Sequence, residues 1–545
     1  MFNAQEWLVD RHVGEGLGEH EAVVGSTQTL TYRELSQRCA DVAAGLRNLH
    51  LHRDDRIVII MNDDVPMITS ILGVFRAGFV AIPVSTMLGT NDIREIVKDS
   101  AADALILSAQ YAAMVAEAIA DCPDVDHVVV DGDPEPAVDW GGVDALTYDE
   151  LVRRGQAAPT ELRNVADTIA DEWALWLYTS GTTGKPKGAM HRHENIRASG
   201  SSFPPVMALT PEDRCLSVSK MFFSYGIGNS VLHPLATGAT TILEPRRPTP
   251  EVFAERLRRD RPTIFDAVPS FYVQLLAADL PPDTFSSVRL CQSAGEPLPI
   301  PLQQRFTERF DIPIIDGLGC TEFLNTFLSN TWNDLKPGTT GKPVPPYEIE
   351  LRDADGKVVP RGELGTLWVR GPSMAIGYWK RVATSRQVFV GEWCNTGDTF
   401  MQDEEGYYVC MGRTTDLIKA GGIYVSPGEV EDRLLRHGAV AEVAVVGLPD
   451  EDGLFKPVAF VVAREQTTED ALIQWCRDGM PAFKRPRRVV FVEELPKTAT
   501  GKMQRFKLRD QLAELFDPLG LGVPVPPGSF PPLPPPAGFP VPPRG

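Results

Sequence analysis

The run of residues with the most concentrated chemistry is YTSGTTGKPKG, residues 178–188. Small hydroxyl side chains and glycines let backbone N–H groups turn toward an anion without a steric clash, and Lys185 and Lys187 add positive charge. The chemistry this predicts is phosphate binding. The run departs from the P-loop, G-x-x-x-x-G-K-[ST] opening a helix. Gly181 and Gly184 stand too close together, Pro186 follows Lys185, and no Ser or Thr is placed to hold magnesium, so a P-loop NTPase is disfavoured. His191 and His193, in MHRHEN, are too close for a helical metal pair and lack further ligands nearby, which assigns them no metal. The basic run KRPRR at 484–488 suits either the phosphates of a cofactor or a solvated loop.

A phosphate loop must be held by regular structure. Residues 173–177, directly before it, form an apolar run that reads as a strand. From 31 to about 130, short apolar runs at 57–61, 80–84, 104–107 and 128–130 alternate with longer mixed segments, the rhythm of an α/β domain on largely parallel sheet. Residues 66–76 have helical apolar spacing, with Gly78 as the stop. The rhythm returns with strands at 240–243 and 264–268 and a helix at 251–258. From 341 to 369 it changes to strands and turns, marked by Asp353, Asp355, Gly356 and Gly362. After Gly412 a compact α/β unit follows, with helices at 427–436 and 468–477 and extended runs at 440–446 and 458–462. The expected organisation is a large N-terminal α/β domain over 1–412 that includes a β-rich section, a smaller α+β domain over 413–515, and a proline-rich disordered tail over 516–545.

The 545 residues include 53 Lys and Arg against 73 Asp and Glu, a formal net charge of −20, with 43% hydrophobic and 23% charged residues. This balance describes a folded globular chain of more than one domain. The negative surface disfavours docking to nucleic acid or anionic lipid, while leaving room for a local positive pocket. The eight cysteines are scattered without a close C-x-x-C pair, which argues for reduced thiols rather than a zinc cluster. The start of the chain lacks the pattern of a secretory signal, and no stretch reaches the roughly 20 apolar residues that span a bilayer. A cytoplasmic protein is expected.

Several further motifs follow the loop in order: SAGE at 293–296, DGLGCTE at 316–322, TGD at 396–398, GRTTDLIKAGGIYVSPGEVE at 412–431 and PKTATGK at 496–502. Together they resemble the acyl-adenylate-forming superfamily of acyl-CoA synthetases, peptide-synthetase adenylation domains and luciferases, over about residues 31–512. KMFFSYGIGNS at 220–230, LCQSAGEPLP at 290–299 and DGLGCTEFLNTFLSN at 316–330 are most similar to the benzoate and hydroxybenzoate CoA ligases. The resemblance implies an adenylate-forming N-terminal domain and a small mobile C-terminal domain. The implied reaction activates an aromatic carboxylic acid with ATP and Mg2+ to acyl-AMP and pyrophosphate. A thioester with coenzyme A then forms and AMP leaves.

Residue roles are implied by the same resemblance. Thr179, Ser180, Gly181, Thr182, Thr183, Gly184 and Lys187 cradle the β- and γ-phosphates of ATP. Ala294, Gly295 and Glu296, with Asp316 and Gly317, frame the adenine; Thr321 stands near the α-phosphate and Glu322 holds magnesium. Asp398 accepts the two ribose hydroxyls, reinforced by Arg413. Lys502 is the catalytic lysine that bridges the substrate carboxylate and the α-phosphate. In the second step the loop of Lys419, Gly421 and Gly422 replaces it and admits the pantetheine arm. The pivot of relatives, often Asp or Lys two residues after Arg413, is here Thr415, with Asp416 beside it.

The acyl pocket is expected between Phe223, Ser224 and Tyr225 on one side and Phe323, Leu324, Asn325 and Thr326 on the other. Flat apolar walls suit an aryl ring, and Asn325 with Thr326 suits a hydroxyl or amino substituent. Two rival readings are an aryl acid–AMP ligase loading a separate acyl carrier protein, and a non-catalytic nucleotide-binding interaction protein. The expected oligomeric state is monomer or homodimer.

Overall fold

Local sequence causes account for the helices that frame the first domain. Thr31 accepts the N–H of Glu34, and Glu34 Oε2 accepts the N–H of Thr31 at 2.8 Å, a capping box that starts the helix Tyr32–Arg47. Its inner stripe, with Leu35, Cys39, Val42 and Leu46, is buried. Asp64 caps the helix Val65–Ala77, Pro66 occupies its first turn, and Gly78 ends it at φ 80°. This is the helix expected at 66–76.

The structure, a computed structural model, describes residues 1–133, 137–180, 186–324, 326–413, 416, 418–420, 423–449, 455–497, 503–505 and 507–509. Gly181, Thr182, Thr183, Gly184, Asn325, Thr415, Gly421, Gly422, Lys502 and the tail over 516–545 lie outside the described residues. The chain divides into two compact units, Met1–Cys410 and Met411–Gly545.

Among the described residues, the first unit holds a seven-stranded and a nine-stranded sheet. The seven-stranded sheet runs Asp144–Thr147, His127–Asp131, Ala104–Ser108, Arg56–Ile60, Val80–Pro83, Trp173–Ser180 and Pro186–Arg192, all parallel except the last pair. The nine-stranded sheet carries a parallel middle, including Ile314–Gly319, Leu290–Ser293, Ile264–Ala267 and Arg214–Ser217, with antiparallel pairs at both ends. One large apolar core draws on both sheets through Ala22, Val23, Ile57 and Ile59, together with the two helices above. The β-rich section is an antiparallel sheet of Glu348–Arg352, Leu364–Arg370, Trp393–Gln402 and Phe389–Val390.

In the second unit Val440–Pro449, Phe455–Ala463 and Arg488–Phe491 form a sheet, with the helices Pro427–Leu435 and Glu469–Arg477 packed into its core. The strand Arg488–Phe491 begins on the last residue of the basic run and carries no alternation that would have marked it. Asp416 is paired there with Arg509 at 3.1 Å. Among the described residues no helix is long and apolar enough to cross a membrane.

Candidate active site

Trp173–Ser180 and Pro186–Arg192 pair antiparallel, with Thr179 opposite Lys187 and Ser180 opposite Pro186. Residues 181–185 therefore join two paired strands, where a P-loop joins a strand to a helix. Lys187 sits at the foot of this connection with its ammonium 4.5 Å from the centroid of the Tyr378 ring, a cation–π contact. The Tyr378 hydroxyl donates to Glu322 Oε1 at 2.5 Å. Burial first, and then the Glu322 carboxylate, push that hydroxyl well above its usual range, so it remains a donor.

The turn that carries Thr321 and Glu322 is fixed from both flanks. The Glu322 carbonyl accepts the Ala375 N–H at 2.7 Å, and Ser373 Oγ donates to the Phe323 carbonyl at 2.7 Å. Burial first, and then the carboxylate of Glu322 with Asp398 adding to it, push the Cys320 thiol up. The structure thus brings Glu322 and Asp398 around one thiol, although 76 positions separate them in the sequence. Asp398 lies half-buried on Trp393–Gln402, behind a turn in which Gly397 donates to Asn395 Oδ1 at 2.9 Å. Arg413 ends the strand Tyr408–Arg413, and Lys419 pairs with Tyr424 in a short hairpin of the second unit.

Parallel pairing brings together the residues expected to frame the adenine. Ser293 stands opposite Asp316, so Ala294, Gly295 and Glu296 leave one strand where Asp316 and Gly317 continue its neighbour. Gly295 has φ 89°, a conformation open to glycine. At Gly317 a Cβ would come within 2.9 Å of Thr326 Cγ2. Glu296 Oε2 accepts the Ser270 N–H at 3.3 Å. The Asp316 carboxyl is buried, its Oδ1 has no hydrogen-bond partner among the described residues, and burial raises it well above the carboxylate range. An orphaned acceptor there fits the exocyclic amine of an adenine.

The described residues expected to line the acyl pocket are held as follows. Phe223 precedes the short helix Ser224–Ile227, packs edge-on against Phe222 at 4.6 Å and shares a core with Leu324. The Tyr225 hydroxyl donates to the carbonyls of Ala267 and Gln292, both at 3.3 Å. Leu324 adopts φ 59°, a left-handed conformation that costs a leucine about 1 kcal/mol and persists where the surroundings impose it. Thr326 Oγ1 accepts Gln292 Nε2 at 3.5 Å. The Phe323 ring packs against Phe327 at 5.3 Å and Tyr347 at 5.9 Å, so it backs this wall from the core.

Sequence reasoning missed Tyr378. It lies in GYW, 377–379, which reads as a turn followed by core aromatics and carries no local sign of a carboxylate partner. The two histidines of MHRHEN are buried structural groups. His193 Nδ1 accepts the Ala4 N–H at 3.1 Å, and His191 Nε2–H donates to the Thr321 carbonyl at 2.9 Å. Burial brings the His191 ring down to about 4. The unfolded chain takes up this proton at its ordinary value near 6.5, so stability falls as pH drops through the window from about 6.5 to 4. His191→Gln is expected to remove up to one proton from the pH slope of the unfolding free energy in that window, measured by urea titration at several pH values. An unchanged slope would contradict a neutral His191.

Among the described residues no group of three or more His, Cys, Asp or Glu could hold a metal by itself. Magnesium on a nucleotide asks less of the protein, one or two carboxylates with phosphate oxygens and water completing the shell. Glu322, half-buried, anchored through one oxygen by Tyr378 and linked through that ring to Lys187, fits that demand.

Comparison with known proteins identifies the family. The profile of the family described as AMP-binding enzyme matches residues 10–379, and that of the AMP-binding enzyme C-terminal domain matches residues 429–502. A benzoate–CoA ligase of Thauera aromatica is 39% identical over 517 residues, covering 93% of this chain and 96% of its own. A 4-hydroxybenzoate–CoA/benzoate–CoA ligase of Rhodopseudomonas palustris is 36% identical, covering 93% and 94%. The crystal structure of a benzoate CoA ligase from Burkholderia xenovorans LB400 superposes with a TM-score of 0.85 at 39% identity, covering 93% of this chain and all of the other. Family profile, strand order and the meeting of Lys187, Tyr378, Glu322 and Asp398 lead to one assignment: the chain belongs to the AMP-binding enzymes of the acyl-adenylate-forming superfamily, alongside the benzoate and hydroxybenzoate CoA ligases.

Proposed function

We propose that this chain is an AMP-forming acid–thiol ligase that activates benzoate or a substituted benzoate with ATP and passes the acyl group to coenzyme A. The observation that carries the reading is the contact series Lys187–Tyr378–Glu322, which ties the foot of the phosphate loop to a carboxylate suited to magnesium. In the first step the aryl carboxylate attacks the α-phosphate and pyrophosphate leaves. Lys187 and the backbone around Thr179, Ser180 and residues 181–184 neutralise the departing charge. Ala294 to Glu296 with Asp316 and Gly317 hold the adenine, and Asp398, reinforced by Arg413, holds the ribose. Glu322 holds magnesium, with Thr321 beside the α-phosphate; when bound, the ion offsets phosphate charge that would repel the incoming carboxylate.

In the second step the CoA thiolate attacks the acyl carbon and AMP leaves. The working domains are 1–412, which binds ATP and acid, and 413–515, a mobile domain that supplies Lys502 for the first step and Lys419, Gly421 and Gly422 for the second. The eight cysteines are all free, which goes with a cytoplasmic protein.

Incubation with ATP, Mg2+, CoA and a panel of aromatic and aliphatic carboxylates, read by mass spectrometry, tests this. An aryl-CoA product is expected. Acyl-AMP accumulating without thioester would replace CoA by a carrier protein as acceptor, and absence of any adenylate would overturn the reading.

A further inference from the structure

Tyr225 and Thr326, both expected in the acyl pocket, pack against a polar row that the expected site residues do not include. Asp266 is the penultimate residue of the strand Ile264–Ala267, and its register partners on the two flanking parallel strands are Ser217 and Gln292. Side chains at register partners leave a sheet on one face, so the three form a polar row near the carboxyl ends of the strands, where open α/β sheets take their ligands. Tyr225 closes on this row from above, its hydroxyl on the carbonyls of Ala267 and Gln292. Thr326 closes on it from the side through Gln292 Nε2.

The row is only partly satisfied. Ser217 Oγ donates to the Ser219 carbonyl at 3.2 Å. Asp266 is 1% exposed and Gln292 0%, yet Asp266 Oδ1 and Gln292 Oε1 have no hydrogen-bond partner among the described residues. Two adjacent buried acceptors without donors carry a desolvation cost of about 1 to 3 kcal/mol each, a cost that folded proteins rarely leave standing and that a bound water or a ligand meets. Burial raises the Asp266 carboxyl well above its usual range.

We infer that Asp266 and Gln292 form a substituent subsite that selects an aromatic acid carrying a primary amine on its ring, whose two N–H donors meet the two orphaned acceptors. This rests on the aryl-acid ligase reading and specifies its substrate. A hydroxyl offers one donor to two acceptors, and an unsubstituted ring offers none, which leaves both acceptors buried and unpaired.

The test measures kcat/KM for acyl-CoA formation on benzoate and on the 2-, 3- and 4-isomers of aminobenzoate and hydroxybenzoate. One aminobenzoate is expected to exceed benzoate by about a hundredfold or more, since a site built to hydrogen-bond a substituent rejects the analogue lacking it. Asp266→Leu removes the acceptor at similar volume and relieves a buried polar group, so it should fold; it is expected to erase most of that ratio while raising turnover of benzoate. Gln292→Leu should erode the ratio in the same direction, and Asp266→Asn, which keeps an acceptor, should retain part of it. A wild-type preference for benzoate or a hydroxybenzoate would overturn the inference and leave the ligase reading intact. So would Asp266→Leu lowering all the acids by one common factor. Failure to activate any aryl acid would overturn the ligase reading, and the inference with it.

Discussion

Glu322→Gln is expected to lower pyrophosphate release with saturating aryl acid by about 10²- to 10³-fold and to raise the magnesium concentration required, because one full charge is lost at the point where phosphate charge is offset. The side chain keeps its shape and can still accept the Tyr378 hydroxyl, so the fold should persist. Tyr378→Phe separates charge from positioning. It removes the 2.5 Å hydrogen bond to Glu322 Oε1 while leaving the carboxylate and the apolar face of the ring under Lys187. A hydrogen bond to a charged group contributes about 1.5 to 3 kcal/mol, so a loss of roughly 10- to 150-fold is expected, at or below that from Glu322→Gln. The measurement is steady-state pyrophosphate release across a magnesium titration. A Glu322→Gln enzyme with normal rate and normal magnesium demand would remove Glu322 from the metal role.

Lys502→Ala is expected to cut acyl-adenylate formation by about 10³-fold while thioester formation from supplied acyl-AMP and CoA changes less than about tenfold. The asymmetry follows from charge. Adenylation brings a carboxylate onto a phosphate, and a cation bridging the two offsets charge that builds in that transition state alone. Attack of a thiolate on the acyl carbon creates no such phosphate charge. The described residues on either side of Lys502 show how that part of the second unit is fixed. Lys497 and Met503 pair in an antiparallel bridge, Gln504 donates its N–H to the Pro496 carbonyl at 2.8 Å, Arg505 holds both Glu431 oxygens at 2.7 and 2.9 Å, and Leu508 is fully buried. Since these contacts come from the backbone and from other side chains, the alanine variant should fold normally. Single-turnover assays of the two half-reactions decide the matter, and equal losses in both would falsify the assignment.

What the amino-acid order determined by itself is whatever has its cause within a few residues. The helix Val65–Ala77 was legible because its helical apolar period and its terminating Gly78 lie in one window, where the structure adds a cap at Asp64. The alternation of short apolar runs and longer segments marked an α/β domain for the same reason, since burial on a parallel strand and on a helix face each leave a local period. The motif order carried the family. The tertiary structure alone decided which distant residues meet. Tyr378 reaches Glu322 across 56 positions, and it does so because the segment that includes Ser373 and Ala375 is bonded back onto the turn at Thr321–Phe323. Asp266 reads as one polar residue in an apolar run. Its pairing with Gln292 is set by the register of strands far apart in sequence, and that register is fixed by packing summed over the whole sheet, a quantity no local window contains.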